Sequence, residues 1–137
     1  RVIAVNLRGA FLASRAFVRS VKSGRVIFIA SDLGVLGREG MVAYCASKGA
    51  IISMTRSLAH EFAPDILVNA VAPGSIATDM TSPESMSPEA LAKDLATPLA
   101  RFGEPEEIAS MVSYLAGPES KFITGQCFGV NGGSVMH

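Results

Sequence analysis

The period of the apolar positions changes several times along the chain, and each change marks an element. From Arg1 to Val21 the residues Ile3, Leu7, Phe11, Phe17 or Val18, and Val21 recur at helical spacing, and Ser23-Gly24 ends the run. "RVIFIAS", Arg25 to Ser31, is short, apolar and β-branched. Such a run reads as a strand buried on both faces, the kind found in parallel sheets. "DLGVLGREG" follows as a glycine-rich loop, in which Gly34, Gly37 and Gly40 lack the spacing of a dinucleotide fingerprint. Helical spacing resumes over Ala43 to Ala63, with Ile51, Met54, Leu58 and Phe62 forming an apolar stripe. Ala46, Ala50, Ser53 and Ser57 form a second stripe of small residues. That stripe suits either the close approach of another helix or close packing on the chain's own sheet.

Pro64 stops this helix, and "ILVNAVA", Ile66 to Ala72, is a second buried strand ending at Pro73-Gly74. The stretch 78–98 is polar, Pro-punctuated and Met-bearing. Within it Ser87-Pro88-Glu89 has the form of an N-cap, a first-turn proline and an early acid, which predicts a short helix to about Thr97. Glu104-Pro105 begins another helix, with Ile108, Met111, Val112 and Leu115 inward and Gly117-Pro118 closing it. "GQCFGVNGG" is a third strand. Alternating helices and strands of this kind predict an α/β fold with a right-handed parallel sheet, a single domain over 1–137. A sheet of three strands is thin, and its first strand would present an apolar edge that soluble proteins normally cover.

Composition narrows the class. Of 137 residues 49% are apolar and 18% charged, which suits one domain with a core and argues against disorder. No apolar run reaches the length of a membrane span. Cys45 and Cys127 form no metal or disulfide pattern, which suits a reducing, cytoplasmic setting. His60 and His137 are not spaced as ligands and read as exposed polar residues. The net charge of zero is unevenly distributed: residues 1–31 hold Arg1, Arg8, Arg15, Arg19, Lys22 and Arg25 and no acid, while the remainder holds six basic and twelve acidic residues. An acid-free, arginine-rich, amphipathic start has the composition of a mitochondrial transit peptide, although the segment matches a folded helix better. Nucleic-acid binding is disfavoured, since the basic residues lack interleaved aromatics and the rest of the chain is acidic.

The candidate chemistry lies at the carboxyl ends of the strands, where parallel sheets bind ligands. Ser31 ends the first strand, Pro73-Gly74 follows the second, and Tyr44 opens the helix after the first. Tyr44 and Lys48, in "YCASK", lie one turn apart on one helix face. A tyrosine hydroxyl normally titrates near pH 10, roughly 4 kcal/mol from acting as a base at neutral pH. An ammonium about 5 Å away, at an effective dielectric of about 20, offsets roughly 3 kcal/mol of that. With a serine hydroxyl beside it, such a phenol can move a proton to or from a carbonyl or alcohol oxygen, while a cofactor moves the hydride. A Tyr-x-x-x-Lys pair alone is more often a surface pair. The context strengthens it: a serine at a strand end thirteen residues earlier, a glycine-rich loop between, and "VNAVAPGSIATDM" on the next strand.

These motifs together resemble the short-chain dehydrogenase/reductase family over almost the whole chain, and within it the β-ketoacyl-carrier-protein reductase-like members. "VNLRGAFLASRA" resembles the family's fourth helix, "RVIFIAS" its fifth strand, "YCASK" its active-site motif, and "VNAVAPGSIATDM" its sixth strand and cofactor loop. "RFGEPEEIASMVSYLAG" and "ITGQCFGVNGG" resemble its last helix and strand. The resemblance implies the C-terminal half of a doubly wound, parallel-sheet Rossmann fold with NAD or NADP as cofactor. It implies Tyr44 as general acid/base, Lys48 as the group that lowers its pKa and holds the ribose hydroxyls, and Ser31 as the group that binds the reacting oxygen. It further implies that Asn6 fixes a water linking Lys48 to solvent. By the same match Pro73, Gly74, Ile76 and Thr78 contact the nicotinamide end, and 78–98 is a mobile substrate lid. Met80, Met86, Leu91 and Leu95 would then line an apolar pocket, or simply bury the lid's own helix. Family members pair their fourth and fifth helices between subunits, which implies a homodimer or homotetramer acting on a small carbonyl or alcohol substrate.

The chain departs from the family in one large respect. It has no glycine-rich turn after a first strand, no residue to choose between NAD and NADP, and no adenine pocket. The expectation is therefore the catalytic half of an oxidoreductase, with Arg1 interior to a longer chain. The alternative is a truncated, non-catalytic fragment that acts as a dimerising or interaction module.

Overall fold

The computed structural model describes residues 1–79 and 81–136. Three strands, β1 (Gly24–Ile29), β2 (Ile66–Pro73) and β3 (Cys127–Val130), form a parallel sheet in the order β1-β2-β3. Gly24 stands opposite Ile66 and Ile29 opposite Val71, while Ala70 to Pro73 pair with Cys127 to Val130. The helices are α1 (Ala10–Ser20), α2 (Leu33–Leu36), α3 (Val42–Phe62), α4 (Pro88–Leu95) and α5 (Pro105–Ala116).

β2 is central and nearly continuous in its apolar character because both its faces are covered. Ile66, Val68, Ala70 and Ala72 share one face and pack with Phe28 and Ala30 against Ile51, Ile52 and Ala59 of α3. Leu7, Phe17, Val18 and Val21 close the same cluster from the N-terminal helix. Residues of alternate parity along a strand point the other way, toward α5, which lies against all three strands. Val71 and Leu115 are fully buried, and burying a side chain of that size contributes about 1.5–3 kcal/mol. The polar member of "ILVNAVA" has a structural use. Buried Asn69 donates to the Ile123 carbonyl at 2.9 Å and accepts from the Gln126 amide at 3.0 Å, which sets the entry of β3 beside β2.

Several expectations from the sequence are corrected. The N-terminal helix is not uniformly α-helical: Ala4–Gly9 is wound as a π-helix before α1. The wider turn alters the helical phase, so that Ile3 and Phe11 are exposed while Leu7 and Phe17 pack inward. The glycine-rich loop contains one helical turn, α2. β1 stops at Ile29, so Ser31 lies two residues beyond the strand rather than at its last position. α4 ends at Leu95, not Thr97, although Ser87 caps it as expected by accepting from the Ala90 amide at 3.2 Å. In the small-residue stripe of α3, Ala46, Ser53 and Ser57 are exposed, so the stripe does not pack on the chain's own sheet; Ser47, Ile51, Ile52, Thr55 and Ala59 are the buried residues of that helix. His60 is exposed, whereas His137 and Met80 lie outside the described residues. Both cysteines are free.

Candidate active site

Ser31 is placed by the last backbone bonds of the sheet. The Ala30 amide donates to Val71 at 2.7 Å and the Asp32 amide to Pro73 at 3.1 Å, so the chain leaving β1 stays registered on β2. Ser31 and Asp32 are both buried. The Ser31 hydroxyl accepts from the Leu33 amide at 3.2 Å and donates to Asp32 Oδ1 at 3.1 Å. It thereby satisfies one of the free amides at the start of α2.

α3 delivers three side chains from its first turns. Lys48 Nζ lies 5.7 Å from the Tyr44 ring centroid and donates to the Ile29 carbonyl at 2.8 Å. Burial pushes the Lys48 ammonium below its usual pKa. An ammonium has three protons to give; this one spends one on β1. Among the described residues the Tyr44 hydroxyl takes part in no hydrogen bond. Ser47 is fully buried between them. It donates to the Tyr44 carbonyl at 2.7 Å and accepts from Asn6 Nδ2 at 3.1 Å. Asn6 thus reaches the helix that carries Tyr44 and Lys48 through Ser47 rather than by direct contact with either.

The turn after Ser31 is held tightly against this helix by two glycines. A Cβ on Gly34 would come within 2.8 Å of the Lys48 carbonyl carbon and the Gly49 amide nitrogen, and one on Gly49 within 3.0 Å of the Gly34 oxygen. Both clashes are with backbone. The turn that follows Ser31 is therefore packed directly on the Lys48–Gly49 backbone of α3.

Pro73 and Gly74 lie beside it. The Gly74 amide donates to Val130 at 3.1 Å, and a Cβ there would sit 2.8 Å from the Asn131 Cα. Ile76 bridges to Gly103 in parallel fashion, and the Ala77 amide donates to the Gly103 carbonyl at 2.8 Å. Thr78 Oγ1 is 3.0 Å from Thr81 Oγ1. In the 78–98 stretch, buried Asp94 of α4 pairs with Arg38 at 2.6 Å, joining it to the loop between Ser31 and Tyr44. A cavity of about 440 Å³ borders this stretch, lined by Asp94, Thr97, Pro98 and Leu99 and not by Met86, Leu91 or Leu95. Another, of about 760 Å³, reaches the site only through Asp32.

Sequence reasoning passed over Asp32, Ser47 and Ser134. Ser134 donates to Asp32 Oδ2 at 2.6 Å, so the carboxylate next to Ser31 is held from the far end of the chain. Asp32 and Ser47 adjoin Ser31 and Lys48 in the sequence and could have been weighed there. Nothing local marks Ser134.

The family model described as enoyl-(acyl carrier protein) reductase matches residues 1–135. The chain belongs to the short-chain dehydrogenase/reductase family. Among curated family members, the 3-oxoacyl-[acyl-carrier-protein] reductase of Synechocystis is 45% identical over 140 residues, covering 98% of this chain and 55% of the relative. The enzyme FabG of Thermotoga maritima is 42% identical, covering 98% and 56%. This short-chain dehydrogenase/reductase chain thus spans little more than half the length of the curated relatives it matches. Among solved structures, a 3-oxoacyl-[acyl-carrier protein] reductase from Brucella melitensis superposes with a TM-score of 0.88 at 38% identity, covering 98% of this chain and 52% of that one. A blue fluorescent protein from a metagenomic library, in complex with NADPH, gives 0.89 at 38% identity, covering 98% and 55%. These likenesses place the three strands and their helices as one half of the family's doubly wound Rossmann sheet.

Proposed function

We propose that this chain carries the proton-transfer half of an NAD(P)-dependent oxidoreductase that interconverts a carbonyl and a secondary alcohol, with a 3-oxoacyl thioester as the favoured substrate class. The observation that carries the reading is the Tyr44–Lys48 pair at the carboxyl edge of the sheet, with the turn after Ser31 packed on the Lys48–Gly49 backbone, a phenol without a hydrogen-bond partner among the described residues, and an ammonium that has donors to spare. In this reading Tyr44 gives its proton to the carbonyl oxygen and takes it back from the alcohol. Lys48 stabilises the phenolate by its charge, and its two remaining protons suit the ribose hydroxyls of a dinucleotide. Ser31 holds the reacting oxygen, and Asn6 supports the turn through Ser47. Pro73, Gly74, Ile76 and Thr78 form the surface that would meet the nicotinamide end, and a bound nicotinamide would supply the hydride.

The stretch 78–98 acts as the substrate lid, attached to the catalytic loop by the Arg38–Asp94 pair. The exposed small residues of α3 favour pairing of α1 and α3 with those of a second copy, as a homodimer or within a homotetramer. A cytoplasmic setting fits the free cysteines; among the described residues no helix is long and apolar enough to cross a membrane. A purely dimerising fragment has less support, since pairing alone does not call for a Tyr44–Lys48 pair with the turn after Ser31 packed on its backbone.

The test is reduction of acetoacetyl thioester by the full natural protein that carries this chain, followed as loss of NADH or NADPH absorbance. Wild type turns over with at least one cofactor. Tyr44→Phe removes a hydroxyl with no hydrogen-bond partner among the described residues, so the variant keeps its unfolding midpoint while turnover falls about 100-fold or more. A Phe variant with wild-type turnover would refute the role given to Tyr44.

A further inference from the structure

The buried carboxylate beside Ser31 has no part in the proton transfer described above. Asp32 opens α2, yet its side chain caps no amide of that helix. It turns instead toward two hydroxyls, Ser31 Oγ at 3.1 Å and Ser134 Oγ at 2.6 Å. A carboxylate can only accept, so both serines give it their protons. Ser31 also accepts from the Leu33 amide. A serine hydroxyl has one proton and two lone pairs. With the proton on Asp32 and one lone pair on Leu33, Ser31 offers an incoming ligand a single acceptor site and no donor.

We propose that Asp32, held by Ser134, sets which way the Ser31 hydroxyl points, and so which member of the carbonyl/alcohol pair the site holds more tightly. The proposal rests on the oxidoreductase reading. As assembled, Ser31 accepts from a substrate alcohol. To donate to a carbonyl oxygen it must withdraw its proton from Asp32. The bond it gives up is the longer of the two on that carboxylate, and the shorter bond from Ser134 keeps the buried charge satisfied while Ser31 turns. Asp32 and Ser134 are thus positioning residues that act through Ser31. They pull in opposite directions: Asp32 retains the serine's proton, and Ser134 weakens that retention.

The opposition supplies the test. In the full natural protein, KM is measured for a ketone and for its matching secondary alcohol. Asp32→Ala frees the Ser31 proton, and the ratio of ketone KM to alcohol KM falls about fivefold, the worth of one neutral hydrogen bond. Ser134→Ala leaves Asp32 with Ser31 as its remaining hydroxyl partner, and the same ratio rises by a similar factor. Ser134→Thr restores the hydroxyl and returns the ratio to the wild-type value. General damage to the site moves both variants the same way, so a shared direction, or no shift beyond twofold, overturns the assignment. Should Asp32→Ala fail to fold, Ser134→Ala decides alone: a rise supports the proposal, and no change or a fall overturns it. A wild type that turns over neither compound with NADH or NADPH refutes the oxidoreductase reading and this assignment with it. Wild-type turnover with an unmoved ratio sinks the assignment alone.

Discussion

Lys48 stands one turn from Tyr44 and reaches past it to the last carbonyl of β1, and its partial burial there lowers its pKa. The ammonium donates to the Ile29 carbonyl from a half-buried position, where lost hydration pushes its pKa below the usual 10.5. For a lysine depressed in this way, the unfolded state holds the proton more firmly than the native state. The cost of burying the charge is therefore present below the folded pKa and fades as the pH climbs toward 10.5, so Lys48 contributes a stability that rises with pH through that window. Lys48→Met removes the titrating group. The difference in unfolding free energy, wild type minus variant, should increase as the pH is raised from neutrality toward 10.5, whatever offset the lost Ile29 contact adds. Denaturant titrations at a series of pH values measure it. A difference that stays flat would mean that the ammonium is solvated in solution.

At the scale of elements, the site depends on how closely α2 lies on α3. Gly34 and Gly49 let the two backbones touch, and neither listener to that contact is a flexible side chain that could move aside. Gly34→Ala puts a methyl group against the backbone at Lys48, and overpacking of that kind costs about 1–3 kcal/mol. The variant should unfold at lower urea by an amount in that range, and its turnover should fall further than its stability, because the displaced backbone carries Lys48. Equal stability and turnover would show that the crossing tolerates a methyl. This contact also marks where the sequence ceased to be legible. The strands were readable because a strand in a parallel sheet is a nearly continuous apolar run, as Val26 to Ala30 and, but for Asn69, Ile66 to Ala72 are. α3 was readable from its stripe of Ile51, Met54, Leu58 and Phe62. A four-residue turn inside "DLGVLGREG" was not, since it spans barely one repeat of about 3.6 residues and glycines lie in and around it. The π-helical winding of Ala4–Gly9 leaves no mark in composition. At the site, Ser31, Tyr44 and Lys48 could be read from their spacing, whereas Ser134 reaches Asp32 across 102 positions and only the folded chain brings them together.

For the whole molecule, the question is how much of a dinucleotide residues 1–137 can hold by themselves. In the function proposed above, Pro73 to Thr78 would meet the nicotinamide end, and Lys48 would offer its spare donors. A dinucleotide's pyrophosphate, however, is held by the amides of a glycine-rich turn leading from a strand into a helix N-terminus. No G-x-G-x-x-G occurs in this sequence, and the matched relatives are nearly twice as long. Among the described residues β1 is an edge strand, and Ile29 is 46% exposed. Such an edge leaves backbone groups and apolar surface unpaired. A polypeptide of residues 1–137 alone should therefore fold its sheet yet bind NADH and NADPH weakly, with no saturable rise in nucleotide fluorescence at micromolar concentrations. The full natural protein, in the oxidoreductase reading, should show saturable binding in the same assay. Micromolar binding by residues 1–137 alone would mean that the nicotinamide end supplies most of the affinity, and that the division of labour argued here between two halves of the sheet is wrong.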